Sequence, residues 1–211
     1  MQKYIDNFMV LKMYPSFNQN IVMKITPSGV VQDKIITLDL KYMDESLKVT
    51  IQPDRFDIFS TNRNETLEQF IEHVQEIEKA ISSSYNNPFT RLALYSLSYF
   101  DIDAESYDGV YAGISKNNEE HPVEWNFRKV LRYTTGENEE KIEVNNVSSF
   151  SRSTIKLKDS PASDKILLEI DINTVVGSSI SSIQKNIPFF FKSAKMKMEE
   201  NLKIYSSYVK D

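Results

Sequence analysis

The stretch RLALYSLSYFDID, residues 91–103, decides the fold of this chain. Apolar residues occupy both alternating sets of positions within it, and Leu92 and Leu94 belong to one set. The other set consists of Ala93, Tyr95, Leu97 and Tyr99. A strand that is apolar on both faces is usually covered on both sides. We therefore predict a central strand of a sheet at this place, with protein packed above and below it.

The residues before this stretch are predicted to form a β-meander. Alternation of apolar and polar residues indicates three strands joined by tight turns, at residues 34–42, 47–51 and 56–60. Residues 1–14 fit a strand or an irregular edge, and Pro15 with the polar run after it predicts a break. Residues 21–25 fit a short strand that ends at a turn over residues 26–29. Such a meander has one buried face and one polar face.

A helix is predicted between the meander and residues 91–103. Thr66 and Gln69 have the spacing of a capping box, in which each side chain bonds the backbone N–H of the other residue. Pro88 prevents the helix from continuing. The apolar residues recur at steps of three and four, as on one face of an α-helix, and they are Leu67, Phe70, Ile71, Val74, Ile77 and Ile81.

The residues after this stretch are predicted to form more strands and a final helix. A polar, acidic connection at 104–122 comes first. The strands that follow are predicted at residues 125–135, 142–150, 154–157 and 165–173. The last of them, KILLEIDIN, is again apolar on both faces, which predicts a place inside the sheet. Pro188 fits the first turn of the final helix.

Two long amphipathic helices and mostly hairpin-linked strands predict an α+β fold, with the helices packed on a largely antiparallel sheet. The 211 residues fit a single α+β domain at 1–211. A subdivision is also consistent with the pattern, with the β-meander at 1–62 and a helix–sheet–helix part at 63–211.

Composition excludes several classes of protein. The chain has no cysteine, which excludes disulfides, thiolate metal ligands and a cysteine nucleophile. The net charge of −5 argues against general nucleic-acid binding. We find neither a signal peptide nor an apolar stretch of about 18 residues that would span a membrane. We therefore expect a cytoplasmic protein.

Motifs for metal-dependent or nucleophilic chemistry are weak. The acidic residues within 101–108 begin like a calcium loop, but that template requires glycine and glutamate where this chain has Ser106 and Ala112. The two histidines, His73 and His121, have no partner histidine at metal spacing. We therefore predict no catalytic residue, no metal site and no cofactor.

One motif leaves a metal-dependent hydrolase open. Asp39 and Lys41 have the acid-x-Lys spacing of nucleases that hold magnesium at strand ends. Such a site requires a further acid, for which Asp33 is the nearby candidate. The alternative is an ordinary strand whose polar face, including Asp39, points to solvent.

Arg128 and Arg132 form the candidate ligand-binding site. Residues four apart in an extended strand share a face, and Arg152 from another strand is a candidate third member. Guanidinium groups hold a phosphate or a carboxylate through paired hydrogen bonds. The alternative is cross-strand pairing of these arginines with the glutamates at 139, 140 and 143.

The start of the final helix is the candidate partner-binding site. Three consecutive phenylalanines at 189–191 span about 200° of helix surface, at about 100° per residue. The core does not easily take up all three. We therefore expect Phe189 and Phe190, with Lys192 and Lys195 beside them, to contact a partner. The alternative is a helix enclosed between the sheet and a loop.

The order of elements resembles a family of sporadically distributed, uncharacterised bacterial proteins. The resemblance covers roughly residues 50–205. It rests on a helix near 66–82, the strand that follows it, a later strand ending in EIDIN at 169–173, and a C-terminal helix with a phenylalanine, here Phe191. The resemblance implies no catalytic residues. It does imply a patchy distribution, which is typical of mobile or defence-linked genes.

We expect a non-enzymatic, cytosolic protein-binding module that acts as an immunity, antitoxin or phage-defence component. Its partner would be another protein, and a homodimer through an edge strand of the N-terminal meander is a further expectation. One alternative is a small-ligand or nucleotide sensor that uses Arg128 and Arg132. The other is a metal-dependent hydrolase with acids at strand ends.

Overall fold

A computed structural model describes residues 6, 8–26, 29–52, 55–82, 89–117, 119–137, 141–156 and 161–209, without the side chains of 20–22, 24–26, 31 and 33–36. The chain divides into two compact units, Met1–Asn87 and Pro88–Asp211. Each unit has one four-stranded sheet. The predicted α+β class is confirmed, with antiparallel strands in two sheets. The division lies after the first long helix rather than at residue 62, and a single-domain organisation stays a prediction.

The first unit is built from a β-meander and one long helix. Its strands are β1 Tyr14–Thr26, β2 Gly29–Lys41, β3 Leu47–Ile51 and β4 Phe56–Ser60, and its helix is α1 Leu67–Ser82. Each strand pairs antiparallel with the next, in the order β1-β2-β3-β4. The predicted meander is therefore confirmed. Residues 27 and 28 of the predicted turn lie outside the described residues, but Thr26 pairs with Gly29 across it.

The start of the chain differs from the sequence prediction. Residues 8–10 are helical rather than extended, and Phe8 and Met13 are buried there. β1 runs without interruption from Tyr14, so the predicted break at Pro15 is wrong. The physical reason is that β1 is an edge strand, with β2 as its one neighbour among the described strands, and an edge strand tolerates a residue without an N–H.

Helix α1 begins at the predicted capping box. The backbone N–H of Gln69 donates to Thr66 Oγ1 at 3.2 Å, and the backbone N–H of Thr66 donates to Gln69 Oε1 at 2.9 Å. These two bonds satisfy donors that lack partners within the helix. The buried side chains of α1 belong to the predicted apolar face, and they are Ile71, Val74, Ile77 and Ile81.

The second unit contains one sheet and three helices. One helix lies between β5 and β6 in the chain, and the other two follow β8. Its elements are β5 Ala93–Phe100, α2 Ser106–Ser115, β6 Trp125–Thr135, β7 Ile142–Ile155, β8 Ser163–Thr174, α3 Ile180–Lys185 and α4 Ile187–Ser206. The strands are antiparallel in the order β5-β8-β7-β6. β6 has the predicted limits, and β8, the KILLEIDIN strand, lies inside the sheet as predicted. Pro188 lies in the first turn of α4, as predicted.

Three predictions for this unit are wrong. β5 is an edge strand rather than a central strand, because β8 is its only neighbour among the described strands. The connection at 104–122 contains helix α2, which its polar and acidic composition concealed. β7 continues through residues 151–153, where a break was predicted, because these residues keep their pairing with β8.

The helices of the second unit pack on one face of its sheet. Helix α4 contacts each of the four strands. Tyr111 of α2 lies near Trp125 and Phe127 of the same face, with ring centroids 6.2 and 5.8 Å away. The core between α4 and the sheet includes Ile166, Leu168, Ile170, Ile172, Phe190, Ala194, Met198 and Tyr205.

Candidate interaction surfaces

The sheet of the second unit has a face opposite its helices. The side chains on that face align in rows across the four strands. One row holds Tyr95, Asp171, Val147 and Val130, and the next row holds Leu97, Glu169, Ser149 and Arg128. The flanking rows hold Ala93, Asn173, Asn145 and Arg132 on one side and Tyr99, Leu167, Ser151 and Asn126 on the other. We call the residues of these four rows the open face.

Large apolar side chains are exposed on the open face. Tyr95 and Leu97 of β5 are 56% and 54% exposed, and Val130 of β6 is 47% exposed. The sequence predicted this side of β5 to be covered, and the described residues of the second unit do not cover it. Apolar surface rimmed by polar residues marks interaction sites on folded proteins. The open face therefore has the character of a binding surface.

The charges of the open face are separated between its strands. Arg128 and Arg132 lie together on β6, which confirms that they share a face. Glu169 and Asp171 lie on β8, two strands away at about 4.8 Å per strand. Burial and the charges of these two carboxylates raise the pKa of the Tyr95 hydroxyl. One side of the open face is therefore basic and the other is acidic.

A chain of hydrogen bonds connects the two charged sides. Arg132 Nε donates to Asn145 Oδ1 at 3.2 Å, and Asn145 Nδ2 donates to Asn173 Oδ1 at 3.2 Å. Asn173 Nδ2 in turn donates to Asp171 Oδ2 at 2.9 Å. Arg132 also lies 4.0 Å from Glu143, the one predicted partner glutamate that falls within the described residues. The guanidinium of Arg132 is thus partly held by its own sheet, which favours a fixed surface over a clamp for a free ligand.

Arg152 does not join this pair. It lies on the helix-covered face, where its Nη2 donates to Asp164 Oδ2 at 2.8 Å and its guanidinium lies 4.3 Å from the centre of the Tyr107 ring. In the register it pairs with Trp125 and Ile166 of that face. The expectation of a third arginine beside Arg128 and Arg132 is therefore wrong.

The start of helix α4 differs from the expectation for a partner-binding site. Phe190 is 0% exposed and Phe191 is also buried, and their ring centroids lie 5.4 Å apart. The expectation that Phe190 is exposed is wrong, because the core takes up two of the three neighbouring rings. Phe189 is half-buried and Lys192 is exposed, so both keep a place at the surface. Lys195 is half-buried and lies 4.0 Å from a carboxylate one turn later.

A groove of about 350 Å³ lies beside Lys192. Its lining includes Thr134, Lys141 and Phe189. Two ammonium groups and threonine hydroxyls at one place are the chemistry that holds a small anion. The sequence indicated Phe189 and Lys192 as partner-binding residues but not this groove, because Lys141 lies far from them in the chain and belongs to no motif. Only the proximity of the end of β6 to the start of α4 brings them together.

Asp39 is buried within the first sheet rather than directed to solvent. It is 3% exposed, and its carboxylate accepts hydrogen bonds from Asn18 Nδ2 at 2.6 Å and from Thr50 Oγ1 at 2.8 Å. Lys48 Nζ lies 3.0 Å from the same carboxylate. Burial alone would raise the pKa of Asp39, but the hydrogen bonds from Lys48 and Thr50 and the positive charges of Lys48 and Lys41 hold it below its usual value. The expected outward-facing polar strand is therefore wrong at Asp39, whose oxygens are occupied by neighbouring strands.

The histidines each pair with one acid. His73 Nδ1 lies 2.7 Å from Glu65 Oε1, and His121 Nδ1 lies 2.8 Å from Asp108 Oδ2. Across the described ranges, no cluster of three or more histidine, aspartate or glutamate side chains is placed to hold a metal ion. The metal-dependent hydrolase stays a prediction that these contacts do not support.

The helices in the described part of the chain include none with both the length and the apolar character needed to cross a membrane. Comparison of the chain with known protein families, with curated proteins and with solved structures found no match.

Proposed function

We propose that the chain is a protein-binding module and that the open face is its binding surface. The observation that carries this proposal is the exposure of Tyr95, Leu97 and Val130 on one face of a sheet whose other face is covered by helices. Covering apolar surface gains roughly 25 cal/mol per Å². A partner that covers these side chains would therefore bind favourably.

The surroundings of these side chains support the proposal. Tyrosine and arginine are enriched among residues that dominate binding energies, and the open face offers both in Tyr95 and Arg128. Val147 and Leu167 lie on the inner strands β7 and β8 of the same face. Both are half-buried, and they extend its apolar area. The separated basic and acidic sides favour one orientation of a partner over others, since charge complementarity contributes to specificity.

The biological setting that we propose is cytoplasmic, as an immunity, antitoxin or phage-defence component. The resemblance to sporadically distributed bacterial proteins motivates this setting. Components of this kind act by covering a surface of another protein, which requires a binding face and no catalytic residue. The open face is suited to that mode of action.

Two matched leucine variants test the proposal. Leu97→Asp changes the open face, whereas Leu131→Asp changes a leucine of similar exposure, 49% against 54%, on the opposite face of the sheet. Tagged full-length wild type and both variants are used to capture proteins from the host, and mass spectrometry identifies what is bound. We expect a stoichiometric partner that Leu97→Asp loses and Leu131→Asp retains. Equal capture by the three proteins would contradict the proposal, and so would a folded wild type that binds neither another protein nor a second copy of this chain.

The groove beside Lys192 supports a second candidate function, the binding of a small anion or nucleotide. Thermal unfolding is measured with and without phosphate and nucleotides for wild type, Lys192→Ala and Lys203→Ala, a change on an exposed part of α4. A ligand at 100 times its Kd adds about 2.7 kcal/mol of stability. We expect Lys192→Ala alone to lose the shift. A shift lost instead in Arg128→Ala would move the ligand to the open face, where the sequence predicted it.

A further inference from the structure

We infer that the protein bound by the open face is a second copy of this chain, packed face to face on the same surface. This inference rests on the proposed function, because it names the partner of that surface. Four features carry it: the strand order, the placement of the charges, the area of the face and the apolar pattern of β5.

The strand order allows the open face to meet itself by a two-fold rotation. In the order β5-β8-β7-β6, an axis that runs parallel to the strands between β8 and β7 places β6 of one copy over β5 of the other. The rotation keeps the rows in line. Val130 of one copy then faces Tyr95 of the second copy, and Arg128 faces Leu97. Tyr95 and Val130 of the two copies thereby cover one another, and the aliphatic part of the Arg128 side chain covers Leu97.

The same rotation brings opposite charges together. Arg128 of one copy, placed over β5 of the second, stands one strand away from Glu169 in the same row, because β8 is the neighbour of β5. Arg132 of one copy lies over the row of Ala93 in the second copy, and the neighbouring row of that copy contains Asp171. Two-fold symmetry repeats each contact, so every attraction occurs twice. The arginines of the two copies lie on opposite sides of the interface and do not face one another.

The sheet face that contains the open face has sufficient area for a stable dimer, because its strands continue beyond the four rows. Its strands have 8, 11, 14 and 12 residues. Their mean length is about 11 residues, so at about 3.3 Å per residue and about 4.8 Å per strand this whole sheet face measures roughly 37 by 19 Å, or about 700 Å² per copy. Two copies would bury roughly 1,400 Å², within the range of about 1,200–2,000 Å² for specific interfaces.

The apolar pattern of β5 supports a partner of the same architecture. Its sequence is apolar on both sides, which is typical of a strand covered on both faces. Helices cover one side within the chain, and the open face of a second copy would cover the other. Two sheets pack face to face with their strands nearly aligned in β-sandwiches. The proposed dimer thus has a helix–sheet–sheet–helix arrangement.

Charge reversal in separate copies tests this inference. A homodimer of Arg128→Glu places two glutamates at the arginine–glutamate contact, and a homodimer of Glu169→Arg places two arginines there. A mixture of the two variants forms a mixed dimer in which both contacts are attractive again. Full-length wild type, each variant and the equimolar mixture are compared by sedimentation velocity over a wide concentration range at low salt. Lys203→Glu, on the exposed part of α4, is the control for a charge reversal elsewhere.

We expect a wild-type dimer, self-association weaker by at least about tenfold in each single variant, and recovery in the mixture. Lys203→Glu should associate like wild type. Circular dichroism verifies folding, and if Glu169→Arg does not fold, Leu97→Lys replaces it, because Leu97 faces the glutamate of an Arg128→Glu copy.

Three outcomes would overturn the inference. A wild type that stays monomeric at the highest concentration excludes the second copy, while a different captured protein that Leu97→Asp loses would still support the proposed function. A dimer that neither charge reversal weakens uses another surface, such as an edge strand of either sheet. Self-association that both variants lose and that the equimolar mixture does not recover also contradicts the two-fold arrangement.

Discussion

Asn201 and Asn146 meet in the core of the second unit, where Asn201 Nδ2 donates a hydrogen bond of 2.7 Å to Asn146 Oδ1. Both side chains are buried, and the bond joins helix α4 to β7. A second polar contact joins the same elements, between Tyr205 Oη and Ser148 Oγ at 2.9 Å. Buried polar groups cost free energy when they lose their partners. These contacts therefore fix the position of α4 on the sheet more strictly than apolar packing alone.

Replacing Asn201 with leucine removes the partner of buried Asn146. We expect the free energy of unfolding to fall by about 1–3 kcal/mol, as measured by urea denaturation. The double variant Asn146→Val/Asn201→Leu removes both polar groups and should recover most of this loss. A single variant as stable as wild type would show that Asn146 satisfies its oxygen in another way.

The capping box of α1 makes a separate prediction. Thr66→Ala removes the hydroxyl that accepts from the Gln69 N–H, and we expect a loss of about 1 kcal/mol in the free energy of unfolding. Thr66→Ser keeps the acceptor and should remain close to wild type. Both are measured by chemical denaturation followed by circular dichroism. Equal stability of the alanine and serine variants would mean that the cap contributes little.

We predict that replacing Phe190 with alanine costs more stability than replacing its neighbour Phe189. Phe190→Ala opens a cavity in the core and should cost about 3–5 kcal/mol, because the side chain is fully buried. Phe189→Ala should cost clearly less, since its ring is half-buried at the groove. Denaturation of the two variants under identical conditions measures the difference. A cost for Phe189→Ala equal to that for Phe190→Ala would contradict the burial of the two rings.

We predict that the folded protein loses stability in acid because Asp39 becomes protonated there. Its pKa is lowered in the folded chain, so its contribution is fully present above the unfolded value of about 3.9 and is lost as pH falls through the lower folded pKa. Asp39→Asn should therefore be less stable than wild type at neutral pH. The difference should shrink below about pH 4, where the carboxyl of the unfolded chain becomes protonated, and it should be lost only below the lower folded pKa.

Unfolding curves at several pH values measure this difference. Lys48→Met removes the cation beside Asp39 and serves as the companion variant. We expect it to weaken the same pH dependence, because the folded pKa then lies closer to the unfolded value. A stability difference between Asp39→Asn and wild type that stays constant with pH would contradict the assignment.

Local patterns in the sequence predicted the elements that local chemistry determines. Helix α1 was predictable because its apolar period and its capping box lie within one continuous segment. β6 and the two-residue alternation that places Arg128 and Arg132 on one face were predictable for the same reason. The helical residues 106–115 were hidden, because a short helix rich in polar and acidic residues has the composition of a loop.

Contacts between distant segments were not predictable. The position of Arg152 on the helix-covered face depends on the register of β7 against β6 and β8, which the sequence does not encode locally. The groove at Lys192 and the pair of Asn146 and Asn201 require the end of one element to meet another that is remote in the chain. The edge position of β5 was not predicted, because apolar residues on both faces of a strand indicate only that both faces are buried. They do not show which residues or which molecule pack against each face.

The single tryptophan of the chain is Trp125, which is buried beside Phe127 and Phe150 at ring-centroid distances of 5.4 and 5.8 Å. Its emission therefore reports on the second unit alone, while far-ultraviolet circular dichroism sums over both units. Superimposable melting curves from the two signals would identify one cooperative transition. Separate curves would assign each transition to its own half of the molecule, so the protein carries an intrinsic optical probe for which no label has to be introduced.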